Sequence, residues 1–235
     1  MTDLILIDAL VNFMGITTPD DTTATLTRSA TKLMTVDQSW DKDTWQGGVI
    51  ELVDGNAANL KQVILASAAD QFTLMSRFYR NRRPNAGDTV KISGGPLSKA
   101  IIYNGEPESI QSEWDRGTQF FVFVDSAEGL ASLEGMGARS NHGARAYRES
   151  VGFEIAVLTP SITGSTPTAE DALRVYHHLP LLRSQVVSRI YAYANDAESG
   201  LKGPGQIAWG KVFLQKPGAE TALKGFLIEC DFECI

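Results

Sequence analysis

Three textures of apolar and polar positions follow one another along the chain. Residues 3–14 are dense in Leu, Ile, Val and Phe, with Asp8 and Asn12 one helical turn apart. That spacing predicts a short helix with a narrow polar stripe, ended by Gly15. Being apolar over most of its circumference, this helix is expected to be buried on more than one side, with Leu6 and Leu10 assigned to a neighbouring subunit. A strand over "LILI" is the competing reading. From Thr22 to Ser93 the pattern becomes short β-branched and aromatic segments: "TATLTR", "KLMTV", "GGVIELV", "KQVILA", "QFTLM" and "DTVKIS". Turn formers at "DGN" 54–56, "AAD" 68–70 and "RPNAGD" 83–88 divide them, which predicts six strands in a small barrel or sandwich.

Beyond Pro96 the segments lengthen. "TQFFVFVDS" and "SVGFEIAVLTP" read as strands separated by a Gly-rich loop, and "TPTAEDALRVYHHLPLLRSQVVSRIYAYAND" reads as helix. Thr168 with Asp171 three residues on resembles a capping box. Leu179, Leu182, Val186, Ile190 and Tyr193 fall on one face, and Pro180 is expected to kink or divide the helix. "QIAWGKVFLQ" and "LKGFLIECDFECI" complete the chain as strands. In the last, Phe226, Ile228, Cys230, Phe232 and Cys234 alternate with a mostly acidic face, so one side covers a core. The expected class is α+β: an antiparallel sheet carrying one main kinked helix, with an inserted small all-β module. The expected divisions are 1–20 for the N-terminal helix, packed on the C-terminal domain or a neighbour, 21–95 for the β module and 96–235 for the α+β domain.

Composition narrows the function. With 235 residues, 43% hydrophobic and 21% charged, the chain is an ordinary globular one. Its net charge of −7 disfavours diffuse attraction to nucleic acid or anionic membrane. No apolar run reaches the ~18 residues of a membrane span. The opening lacks a positive n-region, so no secretory signal is expected. Cys230 and Cys234 lie roughly 13 Å apart along one predicted strand, too far for a disulfide within it. Two small buried side chains in a reducing compartment are expected.

Candidate chemistry is sparse. His177 and His178 are adjacent on the predicted helix and point about 100° apart, so they are expected on its surface and not around one metal ion. His142 lies in the Gly-rich loop with Arg139, Arg145 and Arg148. Arginine forks suit phosphate, yet neither a GxGxxG nor a P-loop is present, and a surface loop ordered by a partner is the stronger reading. No GxSxG, HExxH, CxxC or DxDxDG sequence occurs. No enzymatic activity, cofactor or metal is expected. Arg77, Arg80, Arg82 and Arg83 surround "RPNAGD", with Phe78 and Tyr79 between them. Such interleaving can bind single strands by stacking. The turn residues favour a solvated hairpin, and contact with an acidic partner or another copy comes next.

The stretch from Asp43 to Ile92 resembles a small β module that recurs in structural proteins of tailed bacteriophages. The matching features are Asp43, Trp45, Gly47, Gly48, Gly55, Ile64, Phe72–Thr73–Leu74, Pro84, Gly87–Asp88 and Ile92. The element order of 96–235 is similar to the tail-terminator and neck proteins of long-tailed phages, which are shorter, so the β module would be an added domain. This resemblance implies a virion protein assembled in the host bacterial cytoplasm. Its implied form is a homo-oligomeric ring, of which a hexamer is one candidate, capping the tail tube protein and facing the head connector or stopper. DNA would pass through its lumen unread, and no membrane is involved. The implied contacts are Arg77, Arg80, Arg82, Arg83, Arg139, His142, Arg145, Arg148 and the N-terminal helix. A head-completion stopper, a tail-tip component and a carbohydrate-binding module using Trp40, Trp45 and Tyr79 are the alternatives; Trp45 beside Gly47–Gly48 reads better as a core plug.

Overall fold

The computed structural model describes residues 3–15, 19–78, 81–105, 120–127, 131–132, 148–162, 168–196, 201–215 and 221–234. It is α+β, and the chain divides into two compact units. One comprises Phe13–Ala100 and Gly164–Arg189; the other comprises Met1–Asn12, Ile101–Thr163 and Ile190–Ile235.

The first unit holds a closed barrel of β1 (Thr22–Ser29), β2 (Leu33–Trp40), β3 (Val49–Leu52), β4 (Lys61–Leu74) and β5 (Thr89–Ser93), ordered β1-β2-β4-β3-β5. Every pairing in it is antiparallel. Its core is built from inward positions of each strand, including Leu26, Met34, Ile50, Ile64, Phe72 and Val90, and Trp45 plugs it completely buried. Trp40 packs edge-on against Trp45 with ring centroids 5.8 Å apart. Closure leaves no strand edge for another chain to extend.

Two expectations need correction here. The turn expected at 68–70 does not separate two strands, so the barrel has five strands and not six. β4 runs through that point, with Ala69 at φ 49° and a register shift against β2 between Thr35 and Trp40. The polar-looking "AAD" bends one long strand, as a bulge does, where a turn would have ended it. Nor does "RPNAGD" close a hairpin, because β4 and β5 are not neighbours. The turn itself forms: the Asn85 N–H donates to the Asp88 carboxylate at 2.8 Å, and Gly87 sits at φ 95°. It is stitched to β1, with the Gly87 N–H on the Leu26 carbonyl at 2.7 Å and the Leu26 N–H on that of Asp88 at 2.9 Å.

The main helix begins in this unit. α2 (Ala169–Leu173) leads into a π-helical turn at Arg174–His178 and then into α3 (Leu179–Ala194). The break expected at Pro180 therefore takes the form of a π turn just before it, closed by the Leu179 N–H on the Arg174 carbonyl. A proline ring clashes with the carbonyl four residues earlier in regular α geometry, and widening that turn relieves the clash. The predicted cap is present: the Asp171 N–H donates to the Thr168 hydroxyl at 3.1 Å, and that hydroxyl donates to the Asp171 carboxylate at 2.9 Å. These bonds, the Thr168 hydroxyl first, hold the Asp171 carboxyl below its ordinary 3.8. The cap is thus fully effective above the ordinary carboxylate range and weakens as the pH falls through it. Thr168→Ala should cost about 1 kcal/mol at neutral pH, read by urea unfolding, with a smaller difference in acid.

In the second unit the sheet order is β10 (Leu201–Gln215), β11 (Thr221–Cys234), β9 (Arg148–Ile162), β7 (Phe121–Ala127) and β6 (Ile101–Asn104), with β8 (Ala131–Ser132) beside β9. The sheet departs from the expected all-antiparallel form, because β6 runs parallel to β7. α1 (Asp3–Met14) forms as the apolar pattern requires, and Ile7 and Leu10 are buried. Phe153, Ile155, Val157, Phe226, Ile228, Cys230 and Phe232 are buried on one face, and the Tyr193 ring meets that of Phe232 edge-on.

The opposite face is more apolar than the last strand alone implies. Phe121, Phe123, Ala156, Leu158 and Leu223 form a second buried cluster, and Tyr103 stacks on Phe123. Only its far end is acidic. There Asp125 stands opposite Glu154, and Glu154 opposite Glu229.

Candidate functional site

Two surface features stand out, one in each unit. In the barrel unit, a cleft of ≈ 490 Å³ opens between β4 and the main helix. Lys61, Gln62 and Val63 at the start of β4 and Met75, Ser76 and Arg77 just past its end form one wall. His177 and His178 of the π turn, with Pro180, Leu181, Arg183 and Ser184, form the other. Both walls are fixed by buried polar contacts. The Gln185 side chain is wholly buried; its amide donates to the carbonyls of Gly47 (2.7 Å) and Gly94 (2.8 Å), and its oxygen accepts the Leu97 N–H at 3.0 Å. The Ser188 hydroxyl reaches the Ile64 carbonyl at 3.4 Å, and the Arg189 guanidinium lies 4.4 Å from the Phe13 ring centroid.

The cleft is cationic in an acidic chain. Lys61, Arg77, Arg183 and the two imidazoles line it, and no carboxylate does so among the described residues. Glu51 meets Lys61 from outside the lining at 3.2 Å. Burial, then the neighbouring charges of Lys61, His177 and Lys99, pushes His178 below its usual 6.5, with Glu51 opposing. Burial also lowers Arg183. The histidines expected on a plain helix surface therefore stand in a shared cleft. Its other wall is contributed by residues about a hundred positions earlier in sequence, which local spacing cannot reveal.

In the sheet unit, β10 is an edge strand of 15 residues. Its inner side pairs with β11, with a register shift between Lys202 and Gln206. Trp209 is 54% and Phe213 52% exposed, on the same side of the strand, with exposed Lys211 between them. Trp209 meets the buried Phe226 ring edge-on at 5.7 Å, so its indole is held in place although half of it faces solvent.

The arginines do not form one cluster. Arg77 lines the cleft, Arg82 donates to the Ala58 carbonyl at 2.9 Å, and Arg83 is exposed beside the turn. Leu6 lies on α1 and Arg148 at the first position of β9. Arg80, Arg139, His142 and Arg145 lie outside the described residues, as does Tyr79. Trp45 is the core plug expected of it, and Trp40 packs on it half-buried, so these two rings form no open stacking platform. Burial pushes the Cys230 thiol up to about 12, which leaves it un-ionised and inert. No group of three His, Cys, Asp or Glu side chains able to hold a metal ion occurs among the described residues. No family model matches the sequence, and no curated protein matches it.

Proposed function

We propose that the protein is a structural subunit of a tailed-phage neck or tail, of the tail-terminator kind, which assembles by continuing its sheet into a neighbouring chain along β10. The observation that carries this reading is the β10 edge with Trp209 and Phe213 exposed on it. A long edge strand bearing large apolar side chains is a liability in a free subunit and an asset in an assembly, because a partner strand takes up its N–H and C=O groups while the aromatics are buried. The first unit solves the same problem by closing its barrel, whereas among the described residues the second unit's sheet ends at β10 on one side and at β6 on the other. Pairing β10 with β10 of another copy would give a two-fold dimer, whereas pairing it with the β6 end of the neighbour's sheet is heterologous and closes into a ring when the rotation between copies permits.

The β-module resemblance over residues 43–92 supports the virion setting, and the closed barrel agrees with the small barrel expected there. The carboxylates of Asp125, Glu154, Glu229 and Asp231 suit a wall past which DNA moves, since like charge yields no counterion release. Asp substitution at both Trp209 and Phe213 is expected to abolish self-association or docking to tail tubes. Because each ring is also nearly half buried, the thermal midpoint should fall while the transition stays cooperative. Assembly of that double variant at wild-type concentrations would sink the proposal.

A further inference from the structure

The barrel-unit cleft is not explained by assembly along β10, and its chemistry is one-sided. Its polar lining is donor-rich: Lys61, Arg77, Arg183, two imidazoles, two serine hydroxyls and two amides. Lys and Arg carry no acceptor, and each imidazole offers at least one ring N–H. The apolar part of the lining is Val63, Met75, Leu173, Pro180 and Leu181, and Leu173 stands 48% exposed. A volume of ≈ 490 Å³ falls in the range of small-molecule sites.

We propose that this cleft binds a small phosphate-bearing organic anion, with Lys61, Arg77 and Arg183 gripping the phosphate and the Met75–Leu173–Leu181 strip taking the organic part. Donors converging from two opposed walls suit a tetrahedral group that accepts from several directions, and arginine forks match its oxygens. A peptide is the poorer occupant because the strand wall presents no open edge. Residues 61–63 of β4 already pair with β3, and the Val63 carbonyl also accepts the Met75 N–H at 2.9 Å. A nucleic-acid strand is the poorer occupant because the chain carries a net charge of −7.

The π turn brings the two imidazoles to this site, and π turns recur at functional positions in helices. The charges facing His178 are Lys61, His177 and Lys99 against Glu51, with Arg77 and Arg183 also on the cleft. A bound phosphate offsets much of that positive field and so favours the protonated ring. Binding therefore raises the proton affinity of the His178 ring. A phosphate ester takes up its own second proton at about pH 6, so the ring's signals, and not the affinity, report this coupling.

The test is calorimetric titration of the full-length protein with phenyl phosphate and with inorganic phosphate, at about pH 5.5 and about pH 8. Phenyl phosphate is expected to bind more tightly than inorganic phosphate, with the His178 ring signals shifting on binding and their titration moving to higher pH in the complex. Arg77→Glu, at an exposed position, and Lys61→Glu should each weaken it about tenfold or more without loss of fold. Arg183→Glu should do the same; because Arg183 is half-buried, its result counts only where circular dichroism matches the wild type. Equal binding by wild type and the Arg77 and Lys61 variants would overturn the site. Equal affinity for the two phosphates would overturn the placement of the organic part. Binding of an acidic peptide or an oligonucleotide in place of phenyl phosphate would overturn the ligand class. The inference stands apart from the assembly reading, since it is measured on the protein alone and does not depend on its oligomeric state.

Discussion

Gln185→Leu is expected to destabilise the protein by about 3–5 kcal/mol, because each buried backbone group left without its partner costs about 1–3 kcal/mol. The leucine fits the space but abandons three such groups at once: the carbonyls of Gly47 and Gly94 and the N–H of Leu97. All three lie where the helix meets the loops that follow Trp45 and β5, so the loss falls on the contact between helix and barrel. Gln185→Glu is expected to be no better. It keeps the acceptor for Leu97 and turns a carboxylate toward two carbonyls, a buried charge without compensation. Urea unfolding followed by tryptophan fluorescence, with Trp45 as the buried reporter, measures both. A loss below about 1 kcal/mol for Gln185→Leu would mean that water or a rearranged loop satisfies these groups.

The second large effect is expected at Gly225, in the first half of β11. A Cβ built there meets the Val157 carbonyl oxygen at 1.9 Å and the Leu158 side chain at 2.7 Å. The offending atom is backbone of the paired strand β9, so no rotamer change relieves it. Gly225→Ala is expected to cost about 3 kcal/mol or more, at or beyond the upper end for overpacking. Gly210, on β10 of the same sheet, is the control. A Cβ there meets nothing within 4 Å, so Gly210→Ala should change stability by no more than about 0.5 kcal/mol. Thermal melts of the two variants side by side measure the contrast, and similar midpoints would contradict this account of the β9–β11 contact.

What the sequence made legible was local. The α1 helix and its end at Gly15, the Thr168–Asp171 cap and the buried helix face from Leu179 to Tyr193 each depend on residues within a few turns of one another. Period and capping chemistry are sufficient for such features. The alternation of Phe226, Ile228, Cys230 and Phe232 also held, because a strand covering a core must alternate.

The failures share another cause. "AAD" carries a turn-like texture, yet Ala69 sits at positive φ inside a strand, because pairing on both sides of the bend outweighs local preference. "RPNAGD" forms its turn, but its partners are on β1, and local turn chemistry does not say which strands flank it. The second apolar face of the sheet was hidden because Leu223 and Leu227 read as exceptions on an acidic strand until Phe121, Phe123 and Leu158 are placed beside them.

The candidate sites were the least legible. Lys61, Arg77 and His178 are far apart in sequence and meet only through the packing of helix on barrel. Gln185 left one faint signal, a polar residue between Leu182 and Val186 on an otherwise apolar face. Ser188 and Arg189, three and four positions on, continue that polar line to the Ile64 and Phe13 carbonyls. Trp209 and Phe213 alternate on a strand pattern that reads the same whether they face a core or a partner. Only the sheet order, which puts β10 at an edge, separates the two readings.

Assembly through the proposed β10 edge sets the mass of the purified protein in solution. Light scattering across a range of concentrations, with negative-stain imaging of the species formed, is expected to show closed rings, or a monomer that forms rings on tail tubes. The Trp209/Phe213 double Asp variant is expected to do neither. A wild-type protein that stays monomeric at every concentration and ignores tail tubes would contradict the account.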